Sequence, residues 1–158
     1  KVNSTTFEVE KLPINVDLAV SDDLTAHVPA TATVTLTNDT DKTVFVPGEE
    51  VTVVITDEDG NVLANVTAKT DDAGQVVVDF TPVTTGKVTV EVAHPESDVY
   101  QYADNKDEQS GEYPEYEVEA MGTNVEITPI DDTIINGSTP VEVVVTDEFG
   151  NPIADVDV

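Results

Sequence analysis

Short runs in which apolar and polar residues alternate dominate the chain and predict β-strands. Every second position is apolar in four of these runs, and these positions are expected to point into a core: Ala32, Val34 and Leu36; Val51, Val53 and Ile55; Val76, Val78 and Phe80; Val88, Val90 and Val92. The residues between them are expected to face water: Thr31, Thr33, Thr35 and Thr37, and Lys87, Thr89 and Glu91. Because helical spacing of apolar residues is absent from the sequence, an all-β protein is predicted.

Turn sequences separate the predicted strands at regular intervals. They are Pro47-Gly48, Asp59-Gly60-Asn61, Asp72-Ala73-Gly74 and Thr85-Gly86. Many short strands joined by frequent turns are typical of a β-sandwich, which is the fold class predicted here.

Two internal repeats indicate more than one such sandwich. Residues 51–61 (VTVVITDEDGN) recur as residues 141–151 (VEVVVTDEFGN), an offset of 90 residues. A second match has an offset of 109 residues and pairs 7–10 with 116–119 and 15–18 with 124–127. The unequal offsets imply about one extra strand and turn in the first copy, around residues 24–42.

The repeats divide the chain into three parts. Residues 1–12 are predicted to end in the last strand of an upstream immunoglobulin-like domain, and residues 14–120 to form a complete domain. Residues 123–158 are predicted to be the first part of a following domain, which is incomplete. Since half a sandwich cannot bury a core, the chain is expected to be a piece of a longer protein or to borrow strands from a neighbour.

The repeated strand and turn resemble those of a known family. Residues 51–80, VTVVITDEDGNVLANVTAKTDDAGQVVVDF, and the following TGKVTVEV are similar to the immunoglobulin-like repeats of bacterial and archaeal surface proteins, including invasin/intimin-type adhesins. The shared features are a strand ending in Thr-Asp-x-x-Gly-Asn and a second Thr-Asp-x-x-Gly turn. The resemblance implies tandem immunoglobulin-like β-sandwiches with a structural or adhesive role on a cell surface.

The charge excludes several classes of partner. The chain has 33 Asp and Glu residues against 6 Lys and Arg, a net charge of −27. Such a surface repels phosphate backbones and anionic lipids, so nucleic-acid binding is not expected. Three explanations remain open: life in high salt, binding of divalent cations, or an acidic coat that keeps neighbouring surfaces apart.

The absence of cysteine and of long apolar stretches further narrows the class of protein to which the chain can belong. Without cysteine there is neither a disulfide framework nor a thiolate metal site, which favours a prokaryotic surface protein that relies on its cores. No stretch approaches the ~18 apolar residues of a membrane span, so membrane insertion is not expected in this stretch. Any signal or anchor is expected to lie outside it.

The first Asp-rich turn has two interpretations. Asp57, Asp59 and Asn61 could supply oxygen ligands to calcium around the Gly60 turn. Alternatively, the same side chains hydrogen-bond the backbone of a strand-to-strand turn in which Gly60 takes a positive φ. The turn interpretation is preferred because Phe149 replaces Asp59 in the second copy.

Adjacent aspartate pairs form the other candidate cation sites. They are Asp22-Asp23, Asp71-Asp72 and Asp131-Asp132, and the first and last of them recur at equivalent positions near domain beginnings. Calcium bound at such junctions would stiffen a tandem rod. With so many carboxylates in the chain, adjacent pairs are also expected by chance.

Four N-x-S/T sequons make glycosylation a candidate modification. Their asparagines are Asn3, Asn38, Asn65 and Asn136, all predicted at strand edges, in turns or on outward positions. A Thr-rich composition alone would yield roughly one or two sequons, so the excess is small.

A tyrosine-rich acidic stretch is a candidate contact loop. Tyr100, Tyr102 and Tyr113 flank or occupy residues 104–115, where amphipathic rings could form a contact surface. The alternative is that one or two of the rings simply pack on the edge of the sandwich.

Catalysis is not expected. His27 and His94 are the only histidines, both are expected in exposed loops, and neither lies in a hydrolase motif. The leading hypothesis is therefore a non-enzymatic module of an extracellular, cell-surface protein, such as an archaeal S-layer or adhesin stalk, that needs no cofactor except calcium in some settings. Its expected partners are neighbouring copies or adjacent domains, with surface glycans or a receptor as further candidates. The alternative hypothesis is a filament subunit completed by strand exchange between neighbours.

Overall fold

All regular structure in the described part of the chain is β-structure. The computed structural model describes residues 6–129, 137 and 140–155. Its ten strands are β1 (Ile14–Val20), β2 (Ala30–Asn38), β3 (Glu50–Asp57), β4 (Val62–Lys69), β5 (Gln75–Phe80), β6 (Gly86–His94), β7 (Ala103–Asp104), β8 (Glu115–Val118), β9 (Thr123–Ile127) and β10 (Val143–Asp147). Within the described ranges, no helix has the length and apolar character needed to cross a membrane.

The chain divides into two compact units, Lys1–Glu119 and Ala120–Val158. In the first unit, β1, β2 and β5 form one antiparallel sheet, and β4, β3 and β6 form the centre of another. The outer edge of β6 is shared, because β8 pairs with its first half and β7 with its last two residues. Two antiparallel sheets, one of three strands and one of five, form the two layers typical of an immunoglobulin-like sandwich. The predicted all-β, immunoglobulin-like fold class is confirmed for the first unit, while the tandem arrangement of sandwiches stays a prediction.

The core of the first unit consists of the inward residues that alternation predicted. All twelve are buried: Ala32, Val34, Leu36, Val51, Val53, Ile55, Val76, Val78, Phe80, Val88, Val90 and Val92. The core also includes Leu24 from the loop after β1 and Val118 at the end of β8. A period-2 pattern on both sheets therefore closes one continuous apolar layer.

One residue predicted to face water is buried instead. Thr37 lies near the end of β2 with only 3% of its surface exposed. Phe45 pairs with it in an isolated antiparallel bridge, and Val46 donates its backbone N–H to the Leu36 carbonyl oxygen at 3.0 Å. The segment before β3 thus runs alongside the end of β2 at this point, which strand alternation alone does not predict.

The N-terminal segment is not a strand in the described residues 6–11. Leu12 instead forms a parallel bridge with Tyr100 in the loop after β6. The strand predicted for residues 7–12 is therefore not formed in the described residues. The assignment of residues 1–12 to an upstream domain stays a prediction. The Leu12 bridge shows where this segment is held on the first unit.

Where the second unit is described, its regular structure is the antiparallel pair of β9 and β10. β9 and β10 align Val125 with Val145 and Ile127 with Val143, which places these four apolar side chains on the same face. After β10 the chain turns back, and Ile153 donates its backbone N–H to the Val145 carbonyl oxygen at 2.9 Å. The assignment of residues 123–158 to the first part of a domain stays a prediction.

Candidate functional site

The aspartate that begins the first Asp-rich turn closes the turn with its own carboxylate. Asp57 Oδ1 accepts hydrogen bonds from the backbone N–H groups of Asp59 (3.1 Å) and Asn61 (2.8 Å). Its Oδ2 accepts a third bond from Asn61 Nδ2 at 2.8 Å. Gly60 takes φ +83°, as the turn interpretation requires. The Asp57 carboxylate is therefore occupied by N–H donors, whereas the Asp59 side chain is exposed. Calcium binding by these two residues stays a prediction.

The same geometry occurs in two further turns of the form Asp-x-x-Gly. Asp147 Oδ1 accepts from the backbone N–H groups of Phe149 (2.9 Å) and Asn151 (2.8 Å), and its Oδ2 accepts from Asn151 Nδ2 (2.9 Å). Asp71 Oδ1 accepts from the N–H groups of Ala73 and Gln75, both at 2.9 Å. Local hydrogen bonding by the first side chain explains why each turn begins with aspartate.

These hydrogen bonds change the acidity of the turn aspartates. The Asn61 side-chain N–H holds the pKa of Asp57 below its ordinary value, with further contributions from the turn's backbone N–H groups. The Asn151 side-chain N–H lowers the pKa of Asp147 in the same way. Donors aimed at the ionised carboxylate favour the charged form and outweigh the opposing effect of burial.

An acidic cleft gathers the first aspartate pair. Asp22 and Asp23 follow β1 and line a cavity of about 300 Å³ together with Glu117 and Glu119 from the end of β8. Asp23 takes φ +53°, which an aspartate tolerates better than most residues. In the part of the chain that the structure describes, no three acidic or histidine side chains come close enough to share a metal ion. Of the other pairs, Asp71 and Asp72 are exposed in the turn that Asp71 begins, and Asp131 and Asp132 lie outside the described residues.

The two sequons within the described residues differ in their surroundings. Asn65 is exposed in the middle of β4, which is an edge strand of its sheet. Asn38, at the end of β2, is half-buried, and its Oδ1 accepts hydrogen bonds from the N–H groups of Thr40 (2.9 Å) and Asp41 (3.1 Å). Asn65 is thus the more accessible acceptor. Asn3 and Asn136 lie outside the described residues.

The tyrosines of the candidate contact loop have different surroundings. Tyr100 packs partly against the core, and its ring meets the His94 ring edge-on with centroids 6.5 Å apart. Tyr102 is exposed and donates its hydroxyl to Asp104 Oδ2 at 3.1 Å, while burial and this carboxylate raise its pKa. Lys106 lies 4.8 Å from the centroid of the half-buried Tyr113 ring, a cation–π contact.

The acidic loop between β7 and β8 has an internal turn of its own. Asp107 Oδ1 accepts from the N–H groups of Ser110 (2.8 Å) and Gln109 (3.0 Å), which lower the pKa of Asp107. Asp107, Glu112 and Tyr113 line an open cavity of about 480 Å³. The loop therefore has a defined shape, and its role in contacts stays a prediction.

One histidine was predicted wrongly. His27 is exposed, as expected, whereas His94 is the last residue of β6 and has 0% of its surface exposed. His94 Nε2 lies 3.1 Å from Glu49 Oε2, and His94 Nδ1 lies 3.1 Å from the Gln101 carbonyl oxygen. The sequence contains the signal for this burial, because His94 continues the inward series of Val88, Val90 and Val92.

Comparison with known proteins adds a structural likeness but no family. No protein-family model matches the chain, and no curated protein matches it. Among solved structures, it is similar to the CARDB domain of the PF1109 protein from Pyrococcus furiosus, which was crystallised in complex with di-metal ions. The two are 14% identical, the match covers 73% of this chain and 94% of that chain, and the TM-score is 0.41.

Proposed function

We propose that this chain is a structural and adhesive module of a prokaryotic cell-surface protein, with an archaeal S-layer or adhesin stalk as its setting. The observation that carries this proposal is the recurrence of one strand and turn in both units. β3 with the Asp57 turn and β10 with the Asp147 turn have similar sequences and equivalent turn hydrogen bonds. Repetition of one module supplies length and stiffness rather than a single specialised site.

The first unit has the properties that such a role requires. Its apolar layer is closed, and the neighbouring strands are joined by antiparallel ladders, which resist local opening. The charge of −27 keeps the outer surface hydrated and repels like surfaces. Ordered contacts with neighbouring copies, surface glycans or a receptor would then depend on a few defined patches.

Imaging of the native material tests this proposal. Antibodies against the chain would be used for immunogold electron microscopy of cells from its source. We expect label on the outer envelope, in an ordered array for an S-layer or on thin projections for an adhesin stalk. Label confined to the cell interior would contradict the proposal.

The proposed module has no enzymatic activity and requires no cofactor. Purified protein would be incubated with glycan and peptide substrates with and without calcium, and no turnover is expected. Hydrolysis that is abolished by substitution of Glu117 or Glu119 in the acidic cleft would contradict this part of the proposal.

Glycosylation is proposed first for Asn65, because that side chain is exposed on an edge strand. Mass spectrometry of tryptic and Glu-C peptides from the native protein is expected to show a glycan on Asn65 and lower occupancy on Asn38. Occupancy of Asn38 alone would contradict the ranking, because the Asn38 side chain is engaged in its turn.

A second candidate function, assembly by strand exchange, is favoured by the exposed N-terminal arm. Phe7 and Val9 are 82% and 93% exposed, although residues 7–10 resemble residues 116–119, which are the last three residues of β8 and Glu119. In β8 the equivalent residues are Tyr116, which is half-buried, and Val118, which is 5% exposed. The arm thus has the pattern of a final strand that adds to the edge of another sandwich.

Substitutions in the arm separate the two candidates. Phe7→Ser with Val9→Ser is expected to abolish assembly under the strand-exchange hypothesis while the first unit stays folded. Glu8→Ser with Glu10→Ser is the matched control, since these residues alternate with the apolar ones. Equal assembly of both variants, measured by light scattering and negative-stain microscopy, would contradict strand exchange and leave the tandem-module proposal intact.

A further inference from the structure

β4 differs in charge from the other edge strands of the first unit. It lies at the end of its sheet and pairs with β3. Residues 62–68 carry no charge, and the last residue of β4 is Lys69. Each of the other edge strands that the structure describes in this unit contains an acidic residue: Asp17 in β1, Asp79 in β5, Asp104 in β7, and Glu115 and Glu117 in β8. Because charged side chains on an edge discourage pairing with another chain, β4 is the least protected of these edges.

The side chains of β4 leave an apolar margin at this edge. Three of them share the inner face of the sheet with buried residues of β3, since Ala64 pairs with Ile55, Val66 with Val53 and Ala68 with Val51. These three pack against the core and are only half-buried. Asn65, Thr67 and Lys69 alternate with them and are exposed on the outer face. A further strand with apolar side chains on its inner face would therefore extend the core past β4.

The N-terminal arm, defined as residues 6–10, has a side-chain pattern that matches this edge. Phe7 and Val9 are 82% and 93% exposed, and the exposed Glu8 and Glu10 alternate with them. In an extended arm the two rows lie on opposite faces. Beside β4, the apolar row would cover the half-buried inner margin, and the two carboxylates would lie on the outer face with Lys69. Beside any of the other edges, the same carboxylates would meet an acidic strand.

The arm cannot reach the β4 edge of its own unit. Leu12 is hydrogen-bonded to Val99 and Gln101 in the loop that leads into β7, and β7 and β4 are at opposite ends of the strand order β4-β3-β6-β7. A strand added beyond β4 would lie four strand spacings, about 19 Å, from β7. Glu10 is two residues from Leu12, which is a reach of at most about 7 Å. The acceptor of the arm must therefore belong to another molecule.

We propose that the N-terminal arm of one copy adds as a strand to the β4 edge of a second copy. The inference rests on the strand-exchange candidate above and supplies its acceptor, and no strand of the acceptor has to be displaced. Since the arm is held on the β7 side of the unit and the acceptor edge is β4, each copy can donate on one side and accept on the other. A head-to-tail contact of this kind repeats into a filament when its rotation does not close into a ring.

Site-specific cross-linking of unglycosylated recombinant protein identifies the acceptor edge. The chain has no cysteine, so Glu8→Cys and Asn65→Cys each introduce a single thiol. The two proteins are mixed, treated with a short bis-maleimide, and the heterodimer is quantified by mass spectrometry. Val77→Cys, exposed on the edge strand β5, replaces Asn65→Cys in the matched control. We expect about tenfold more heterodimer with Asn65→Cys, because pairing raises the effective concentration of the two thiols. A yield no higher than that of the control would overturn the proposal.

A charge on the same edge provides an independent test. Asn65→Glu places a carboxylate beside the glutamates of the incoming arm and is expected to reduce assembly, measured by light scattering, by about fivefold or more. Val77→Glu is the matched control and is expected to leave assembly unchanged, and circular dichroism verifies that both variants are folded. Undiminished assembly of folded Asn65→Glu protein would overturn the assignment of β4.

The inference and the strand-exchange candidate can fail separately. If Phe7→Ser with Val9→Ser abolishes assembly but the Asn65→Cys cross-link does not exceed its control, strand exchange stands with a different acceptor and the β4 assignment is wrong. If the arm variant assembles as well as its Glu8→Ser, Glu10→Ser control, both are wrong.

Discussion

The two units contain nearly the same strand and turn but bury the strand to different extents. In the first unit, Val51 and Val53 on β3 are 0% exposed, whereas their counterparts Val141 and Val143 are 49% and 38% exposed. The turns that follow are alike, because Asp57 and Asp147 bond the equivalent N–H and Asn side-chain groups at 2.8 to 3.1 Å. The turn hydrogen bonds thus form from a short local sequence, whereas burial of the strand valines requires a second sheet.

The physical reason is the range of each interaction. An Asx turn of this kind is closed within about five consecutive residues, so it forms wherever those residues occur. Burial of a valine on a strand needs apolar side chains from a second sheet, which in the first unit come from β1, β2 and β5. The β9–β10 pair presents the same valines without that layer in the described residues.

The largest expected effect is from a charge placed on the equivalent valines. Val53→Asp puts an unpaired carboxylate into the closed core and is expected to lower the free energy of unfolding of the first unit by about 4 kcal/mol or more. Val143→Asp is expected to cost less than about 1 kcal/mol, since its position is 38% exposed. Urea unfolding followed by circular dichroism measures both. Equal losses would mean that the face of β10 is covered in solution.

Glycine substitutions in the turns are expected to have the next largest effects. Gly60 has φ +83° and open space where the methyl group of an alanine would lie, so Gly60→Ala is expected to cost about 1–2 kcal/mol from backbone strain alone. Gly74→Ala is expected to cost more, because its Cβ would lie 2.6 Å from the Leu36 carbonyl oxygen. Unfolding in urea distinguishes them, and a smaller loss for Gly74→Ala would contradict the packing of this turn against β2.

Acid titration tests whether the two Asp turns are equally local. Because the pKa of Asp57 and that of Asp147 are lowered in the folded chain, each turn's stabilisation is present above the ordinary aspartate range and is lost as the pH falls through the lowered value. Carboxyl ¹³C shifts should therefore give similar titrations for Asp57 and Asp147, both below the ordinary aspartate range. The variant Asp57→Asn should be less stable than the unsubstituted protein near neutral pH, and this difference should disappear at low pH, where Asp57 is protonated. If Asp147 instead titrated in the ordinary aspartate range, its turn would not form from local residues alone, and the comparison of the two turns would fail.

The smallest expected effect is the response to salt. With a net charge of −27, screening of like charges by about 1 M NaCl should raise the melting temperature of the first unit by a few degrees. Differential scanning calorimetry in NaCl, with sucrose as an uncharged control, measures this shift. A larger response to micromolar calcium than to molar NaCl would favour specific cation binding over general screening.

Much of the fold was predictable from the sequence, because period-2 alternation and Asp-x-x-Gly turns depend on neighbouring residues. The inward series at Val88, Val90 and Val92 is buried as predicted, and Gly60 takes the positive φ that its turn requires. The same alternation extends to His94, but a polar residue at the end of an apolar run also fits an exposed loop. The buried ring is bonded by Glu49 and Gln101, and Glu49 is distant in sequence.

By itself, the sequence determined the strands, the turn chemistry, the repeated module and the acidic surface, since each follows from local pattern or composition. Only the tertiary structure decided which distant residues meet. It placed Phe45 beside Thr37, brought Glu117 and Glu119 to the cleft of Asp22 and Asp23, and enclosed His94 between Glu49 and Gln101. These contacts join residues that are separated along the chain, and they arise from how sheets and loops pack rather than from any spacing that a single strand displays.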